Sequence, residues 1–463
     1  MASIEYPSQE QDDDGLNDQL VDIEELWVVD QSSLLEKLPA EIIQCIASYL
    51  PASDLACLGV TSRTLADHAY NDLLWADLVN ERLPVRIQHP GPFGSFRRLY
   101  LAYHPCWFIP QHKIWFGDTE HMGTLILARY DNHRGVIEAY KIVADRGSPK
   151  FQIWESNPEV IVQSFDPDVH LWLDDSILFL KDHNPSSRTA PIQSFEPMSE
   201  FRRMPLALEA HHIYSALSFC SIFTSEEEEA VGPDMIWPPQ SIPSNARALR
   251  ASRYFPSPIP KNMSDLSELC FRIREWTPSR LMYSPVPNER IVTYSTLDPI
   301  MYTPTEEKPY QGIWVGDYSA HGCEFLLILQ KDVEAVVGDE GEELTTRDAQ
   351  PETEPDSQEE IGQRGRLEAI KLTGDPNVPR GQFSFIAEDI GRRGLVGVAT
   401  DEPFAGARIV RCCGHLAGLG FHDETFIDSK LILISPDCMA HYWTELGHVS
   451  YFRRVDVDAL LHT

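Results

Sequence analysis

One block of residues occurs twice in the same order, and this limits the chain's folding options more than any other feature. Ile114-Trp115-Phe116-Gly117-Asp118 returns as Ile313-Trp314-Val315-Gly316-Asp317, and His121 and Gly123 return as His321-Gly322. Gly135-Val136-Ile137-Glu138-Ala139-Tyr140-Lys141-Ile142 returns as Gly365-Arg366-Leu367-Glu368-Ala369-Ile370-Lys371-Leu372. Asp175–Leu180 returns as Asp428–Leu433, and Phe201–Met204 as Phe452–Val455. Any one of these could arise by chance, but five in order point to an internal repeat. The runs are short, rich in β-branched and aromatic residues, and separated by Gly, Asp, Asn and Pro turns, which is antiparallel β chemistry. The repeat predicts two homologous units of about eight short strands each, barrel-like or sharing one composite barrel, because closure removes exposed edges.

The second copy is longer by 331–364, a run that is acidic, contains Pro351 and Pro355 and is poor in aromatics. Such composition predicts a disordered loop between two strands. Between the copies, 206–311 reads as a Pro-rich bridge. Within it Ser264-Asp265 before LSELCFRIREW predicts a capped amphipathic helix, and VPNERIVTYSTLD a strand entering the second unit. Residues 1–30 are polar and acidic and read as a disordered tail, with Leu26–Val29 packing on the next domain.

Leu34 to Pro84 has a different period. Pro39 opens a helix near a first-turn position, Glu41 favours its dipole, and Ile42, Cys45, Ile46, Tyr49 and Leu50 fall on one helical stripe. Pro51 stops it. Ser53, Thr61 or Ser62, and Asn71 are N-caps for three further short helices carrying Leu55 and Leu58, then Leu65, then Leu74, Trp75 and Leu78. About fifty residues of helix cannot bury so much apolar surface alone, so a partner is expected to cover the rest. The order Leu38-Pro39, Glu41, Ile42, Ile46, Leu50, Asp54-Leu55, Leu58, Val60, Arg63 and Leu74-Trp75 resembles an F-box, with Leu65 where many F-boxes carry Trp. That resemblance implies docking to the adaptor Skp1 of a cullin–RING ubiquitin ligase through Leu38, Pro39, Ile42, Ile43, Ile46, Leu50, Leu55, Leu58, Val60 and Trp75.

The formal net charge of −33 argues against nucleic acid or an anionic membrane as partner. The acidic N-terminus and the lack of an apolar run of about 20 residues predict a cytoplasmic or nuclear protein. Its nine cysteines are scattered and read as free thiols. No P-loop, Rossmann glycine fingerprint, HExxH, GxSxG or paired CxxC occurs. Cys412, Cys413 and His415 lack a base and orienter around them and read as packing. His211, His212 and Cys220 lack zinc spacing and a fourth ligand. Glu138 and Glu368 occupy corresponding strand positions and read as architecture. No metal, cofactor or catalytic residue is expected. Gly312-Ile313-Trp314 with Arg453 or Arg454 resembles the closed end of lipocalin-like barrels, and predicts a Trp plug covered by an Arg.

GIWVGDYSAHGCEFLLI (312–328), KLTGDPNVPRGQ (371–382), GHLAGLGF (414–421) and LILISPDCMAHYWTELGHVSYFRRV (431–455) resemble the C-terminal module of the F-box-only protein thirty-one family. Similar modules occur in some plant plastid proteins without an F-box. The resemblance implies a module that recognises degradation signals, including the cyclin D type and altered C-termini. No Cys/His set matches the zinc-binding segment of the animal members. An extended peptide needs Gly-rich loops for close approach and polar groups at strand ends. Tyr318, His321, Asn377, Arg380, Arg411 and His415 are the candidates.

The fold class is therefore α+β: a tail (1–30), an all-helical F-box domain (31–104), a first β unit (105–205), the bridge (206–311) and a second β unit (312–463). The expected function is a non-catalytic substrate receptor of a Skp1–cullin–F-box ligase. The alternative is a small-ligand-binding, lipocalin-like barrel or sensor whose F-box serves its own turnover.

Overall fold

A computed structural model describes residues 33–119, 122–148, 150–181, 202–205, 214–222, 236–238, 248–249, 260, 262–277, 288–332 and 362–463. The tail, most of the acidic insert, the His211-His212 pair and much of the bridge lie outside the described residues. The chain divides into two compact units after Leu74.

The first unit holds α1 (Ala40–Ala47), α2 (Ala52–Leu58), α3 (Arg63–Ala69) and the start of α4 (Asp72–Asn80). Pro39 sits at the N-cap of α1 and Pro51 at that of α2, so α2 begins one residue before the expected Ser53 cap. Ser62 caps α3 by accepting from the Leu65 N–H at 3.2 Å, and the Asn71 side chain accepts from the Leu73 N–H at 3.2 Å. Ile43, Ala47, Leu55, Leu65 and Ala69 are buried and form the small core.

The second unit opens with α5 (Phe96–Tyr103), capped by Ser95, and α6 (Phe108–His112). Then come β1 (Ile114–Asp118), β2 (Thr124–Asp131), β3 (Val136–Asp145), β4 (Phe151–Gln152), β5 (Val162–Gln163), β6 (Asp168–Lys181), β7 (Arg202–Pro205) and β8 (Tyr214–Ser221). β9 (Ile236–Trp237) and β10 (Ala248–Leu249) pair with each other, and β11 (Leu266–Thr277) and β12 (Asn288–Ser295) follow. An antiparallel half-barrel runs β6-β3-β2-β1-β12-β11-β8-β7. Helix α6 lies against one of its faces. The Trp115 indole donates to the Ile109 carbonyl at 2.9 Å, and Phe108 meets the rings of Trp115 and Phe219. Tyr103, from α5, donates its hydroxyl proton to the Gly135 carbonyl.

The barrel comprises β13 (Gly312–Asp317), β14 (Cys323–Lys331), β15 (Arg366–Lys371), β16 (Phe383–Ala387), β17 (Leu395–Val398), β18 (Arg408–Gly418), β19 (His422–Ser435), β20 (Cys438–Trp443) and β21 (His448–Arg454). Its order is β16-β15-β14-β13-β21-β20-β19-β18-β17, and a β16–β18 pairing closes eight strands while β17 pairs only with β18. Strand periodicity divides each strand between two cores. Trp314, Leu326, Ile328, Leu367, Val410, Leu431 and Phe452 fill the interior. Ile313, Val315, Phe325, Leu327, Ile370 and Tyr451 face outward and share a second core with Ile114, Phe116, Leu125 and Leu127 of the half-barrel. β13 is therefore buried along its whole length, which explains its unbroken apolar run.

Two carboxylate–arginine pairs join the half-barrel to the barrel, and they are reciprocal. Asp118 at the end of β1 receives the Arg380 guanidinium, which follows β15. Asp317, the matching residue at the end of β13, receives Arg146, which follows β3, with Nε at 3.0 Å. The recurring Gly-Asp of the repeat is thus the acceptor half of each link, and each copy supplies the arginine for the other.

Sheet positions correct parts of the sequence reading. β1, β2 and β3 occupy the places of β13, β14 and β15, as the repeat predicts. The last two matches do not hold. β6 lies beside β3 as β16 lies beside β15, so it is not the counterpart of β19; β12, and not β7, stands where β21 stands. Short alternating strands look alike in sequence, and only their pairing separates them. The helix expected after Ser264-Asp265 is also wrong. Asn262 and Asp265 form a capping box, but it caps a single 3-10 turn (Met263–Asp265) before β11. β11 is then held on both sides, by β8 and β12, and ladder pairing overrides the local helical pattern. The bridge therefore supplies β8, β11 and β12 to the half-barrel.

Gly414 gives a local test of barrel packing. A Cβ there would sit 2.3 Å from Trp443 Cζ3 and 2.8 Å from His441 Cε1. Both rings are buried, so neither can swing out. Gly414→Ala should lower stability by about 1–3 kcal/mol in a denaturant titration, as overpacked cores do. An unchanged midpoint would contradict this packing.

Candidate docking and recognition surfaces

Helix α1 is apolar around most of its circumference. Ile43 and Ala47 point into the small core, whereas Ile42, Cys45, Ile46 and Tyr49, at helical spacing, face solvent. Leu38 is 38% exposed, Ile42 47%, Ile46 40%, Tyr49 84% and Val60 81%. Pro39 is exposed, and Leu50 and Leu58 are half-buried. Three residues assigned to docking from the sequence lie elsewhere. Ile43 and Leu55 are buried in the helical core, and Trp75 is buried against Tyr100 with ring centroids 5.4 Å apart. Periodicity alone could not separate the two stripes of α1, because both are apolar. The surface available to a partner is Leu38, Pro39, Ile42, Ile46 and Val60, with Tyr49 added.

The barrel has two unlike ends. At the Gly312 end, Trp314 is fully buried and its indole donates to the Tyr310 carbonyl at 2.9 Å. Arg454 is the strand partner of Trp314; its guanidinium bonds the Pro309 carbonyl at 3.1 Å and also Asp437. A cavity of about 340 Å³ lies at this end, lined by Glu306, Tyr310, Gln363, Arg408, Leu433 and Ser435 among others.

The opposite end is polar. Lys371, only 2% exposed, places its Nζ 2.9 Å from Glu324 and 2.5 Å from Asp375, and 4.4 Å from the centre of the Tyr318 ring. The Tyr318 hydroxyl is 2.5 Å from Ser384 Oγ. Burial pushes the Glu324 carboxyl up to about 8, with Lys371 opposing and Asp375 adding. Asp375 is also penalised by burial, yet Lys371 and its hydrogen bonds hold it at about 2. Near neutral pH one ammonium thus faces one ionised carboxylate and one protonated carboxyl, and the buried cluster carries no net charge. His441 is buried against the rings of Phe385 and Trp443 and bonded to Ser429 at 2.7 Å, and burial lowers it to about 3, so its ring is neutral.

The raised Glu324 value makes a signed prediction. The folded chain holds this proton where the unfolded chain has released it. The contribution is therefore full below the ordinary carboxylate range and is lost as pH rises towards 8. Asp375 acts oppositely, but only in the acid range below its unfolded value. Glu324→Gln mimics the protonated form, so it should flatten the fall in stability between pH 5 and 8 and be the more stable protein at pH 8. Parallel pH profiles for wild type and variant would refute the assignment.

Five of the six residues proposed for peptide contact gather at this polar end, but most are engaged. Asp375 Oδ1 accepts from the Asn377 and Val378 N–H groups at 2.6 and 2.8 Å, and Asn377 Nδ2 donates to the Ala417 carbonyl at 2.9 Å. Gly374 has φ +64°, and a Cβ would sit 2.2 Å from the Arg380 nitrogen, so the turn requires glycine. Arg380 is committed to Asp118 and to the Thr119 carbonyl at 2.8 Å. His415 is buried between the Phe383 carbonyl at 2.8 Å and Glu424 at 3.1 Å, and its ring stacks on Phe426. Tyr318 is half-buried and His321 is exposed in the β13–β14 turn. Arg411 is exposed in mid-strand opposite Lys430, away from the others. Sequence reading missed Glu324, Lys371 and Ser384. A signal existed: Glu324 and Lys371 are charges that directly flank the apolar runs Phe325–Leu329 and Ala369-Ile370. Glu138 and Glu368 are ion-paired, to Arg129 and Arg134 and to Lys331 and Arg366 respectively, as architectural carboxylates should be.

Residues 35–81 match the F-box-like family, and residues 294–459 match the family described as Cyclin D1 binding domain. Two Arabidopsis thaliana proteins are similar in part. Protein EXECUTER 1, chloroplastic, is 34% identical over 107 residues, 20% of this chain and 15% of that protein. Protein EXECUTER 2, chloroplastic, is 25% identical over 150 residues, 32% of this chain and 21% of that protein. The chain spans about a fifth or less of the length of these curated relatives. It carries an F-box-like domain followed by an antiparallel half-barrel and a closed eight-stranded barrel, the barrel lying within the Cyclin D1 binding domain match.

Proposed function

We propose that the chain is the substrate receptor of a Skp1–cullin–F-box ubiquitin ligase. The observation that carries this is the outward apolar patch formed by Ile42 and Ile46 of α1, Tyr49 just after it, and Leu38 and Val60, inside the F-box-like match. Exposed aliphatic residues so closely grouped are what a partner's groove covers. The β module then presents a protein bearing a degradation-signal peptide, and the matched domain favours a signal of the cyclin D type. Its contribution to ubiquitin transfer is proximity and orientation, not bond-making. F-box proteins are typically non-catalytic adaptors, and action in the cytoplasm or nucleus follows from this reading.

Leu38→Ala with Pro39→Ala removes two exposed contacts ahead of α1. Affinity capture with this double variant should lose Skp1 and the cullin while enriching substrates that are no longer degraded, read by mass spectrometry. Undiminished Skp1 recovery would overturn the docking assignment. Loss of Skp1 without any enriched protein would remove the receptor role.

A further inference from the structure

The half-barrel holds two thiols that the proposed function does not use. Cys220 is the penultimate residue of β8, and Cys270 lies in β11. Phe219 is the strand partner of Phe271, so Cys220 and Cys270 are the next positions along the two antiparallel strands, where the ladder runs into a bulge. Both are 0% exposed and together form a small buried cluster, with Leu269 against it. The two side chains pack together in that cluster, and the Cys270 thiol donates to Ser267 Oγ at 3.4 Å. Arg272, two residues on and therefore on the same face of β11, is buried close enough for its charge to act on both sulfurs.

These contacts make the two sulfurs unequal. Burial raises the Cys220 thiol, but the neighbouring Cys270 and the Arg272 charge outweigh it and the net direction is down. Cys270 is pushed well up, first by the neighbouring Cys220 and then by burial. The two thiols therefore lose their protons as a pair, one more readily than the other, and they sit side by side where a disulfide could join them. Of the remaining cysteines, Cys45 and Cys57 are exposed, Cys106, Cys412 and Cys438 are buried, and Cys323 and Cys413 are intermediate.

We propose that Cys220 and Cys270 are a redox-modifiable pair, converted by a hydroperoxide into a cross-strand disulfide that ties β8 to β11. The Cys220 thiolate attacks one peroxide oxygen. The O–O bond breaks, an alcohol (water, for hydrogen peroxide) leaves, and Cys220 becomes a sulfenic acid. Cys270 then attacks that sulfur as its own proton departs; the S–S bond forms and water is released. Two thiols lose two electrons in total, and the peroxide gains them. Both sulfurs are closed to solvent, so the peroxide reaches them only on local opening at the end of β8, where Ser221 is partly exposed and Ile222 is 55% exposed. The bond would fix a strand that lies one place from the sheet margin at β7.

The test treats the purified, folded full chain with hydrogen peroxide, blocks free thiols with N-ethylmaleimide, and maps peptides without reduction. The expected result is a Cys220–Cys270 linked peptide as the dominant disulfide, loss of two titratable thiols per chain, and full reversal by dithiothreitol. Oxidised wild type should also unfold at a higher temperature than reduced wild type, and Cys270→Ser should abolish that difference. Mapping is done on wild type, so it does not depend on either variant folding. Recovery of both residues as alkylated thiols, or linkage of other cysteines in equal yield, would overturn the proposal.

Discussion

Replacing Ile42 and Ile46 together by aspartate is expected to abolish Skp1 capture while leaving the unfolding midpoint of the chain unchanged. Both side chains are close to half exposed, so the helical core does not depend on them. Burying the remaining half of each is worth about 1 kcal/mol, and placing a carboxylate against an apolar groove costs several more. The total exceeds about 4 kcal/mol, roughly a thousand-fold in Kd. Ile43→Ala is the complementary change. It creates a cavity in the core, should cost about 2–5 kcal/mol in stability, and should affect capture only through unfolding. Neighbours in sequence would thus separate surface from core. Equal effects of the two changes on capture at a temperature where both proteins are folded would contradict the orientation of α1.

The second large effect concerns the link between half-barrel and barrel. Arg380→Ala should destabilise the β module by about 3–5 kcal/mol, because it leaves the Asp118 carboxylate buried without its partner. The arginine side chain is 12% exposed and that of Asp118 1%, so solvent screens this pair little. Burial has already lowered Arg380 to about 10, a sign of how poorly water reaches it. Asp118→Asn combined with Arg380→Met removes both charges and should restore most of the loss, since an apolar replacement avoids the orphaned ion. Arg146→Ala at the reciprocal pair should cost less, its side chain being 32% exposed. Denaturant midpoints for the four proteins measure this directly. A single-arginine loss below 1 kcal/mol at Arg380 would mean that water reaches Asp118.

Much of this architecture could be read in advance because of particular residues. The two Ile-Trp-x-Gly-Asp strands named the first strand of each sheet correctly, and the Glu138 and Glu368 positions fixed the third. Beyond those, resemblance misled. Asp175–Leu180 and Arg202–Met204 have the right composition, yet pairing puts them elsewhere, and Leu266–Thr277 has a capping box at its start but forms a ladder between two strands. Local patterns do not record which strand lies alongside. The helical surface was legible as to which residues are apolar, but not which way each points. Ile42 and Ile43 differ only by a rotation that the packing of α1 on α3 decides. The candidate recognition residues were legible mainly as a place. Tyr318, Asn377, Arg380 and His415 do meet at one end of the barrel, but Asn377, Arg380 and His415 are consumed by the turn, the inter-sheet link and a ring stack. The buried Lys371 cluster beneath them left only scattered charged residues, Glu324, Lys371 and Asp375, as a trace.

The claim on which the functional account rests is that Leu38, Ile42 and Ile46 form a surface another chain covers. Hydrogen–deuterium exchange of the full chain with and without purified Skp1 measures this most directly. The account predicts new protection in peptides covering 38–60 and none in the barrel strands. Protection absent from 38–60, in a mixture where complex formation is independently verified, would contradict it.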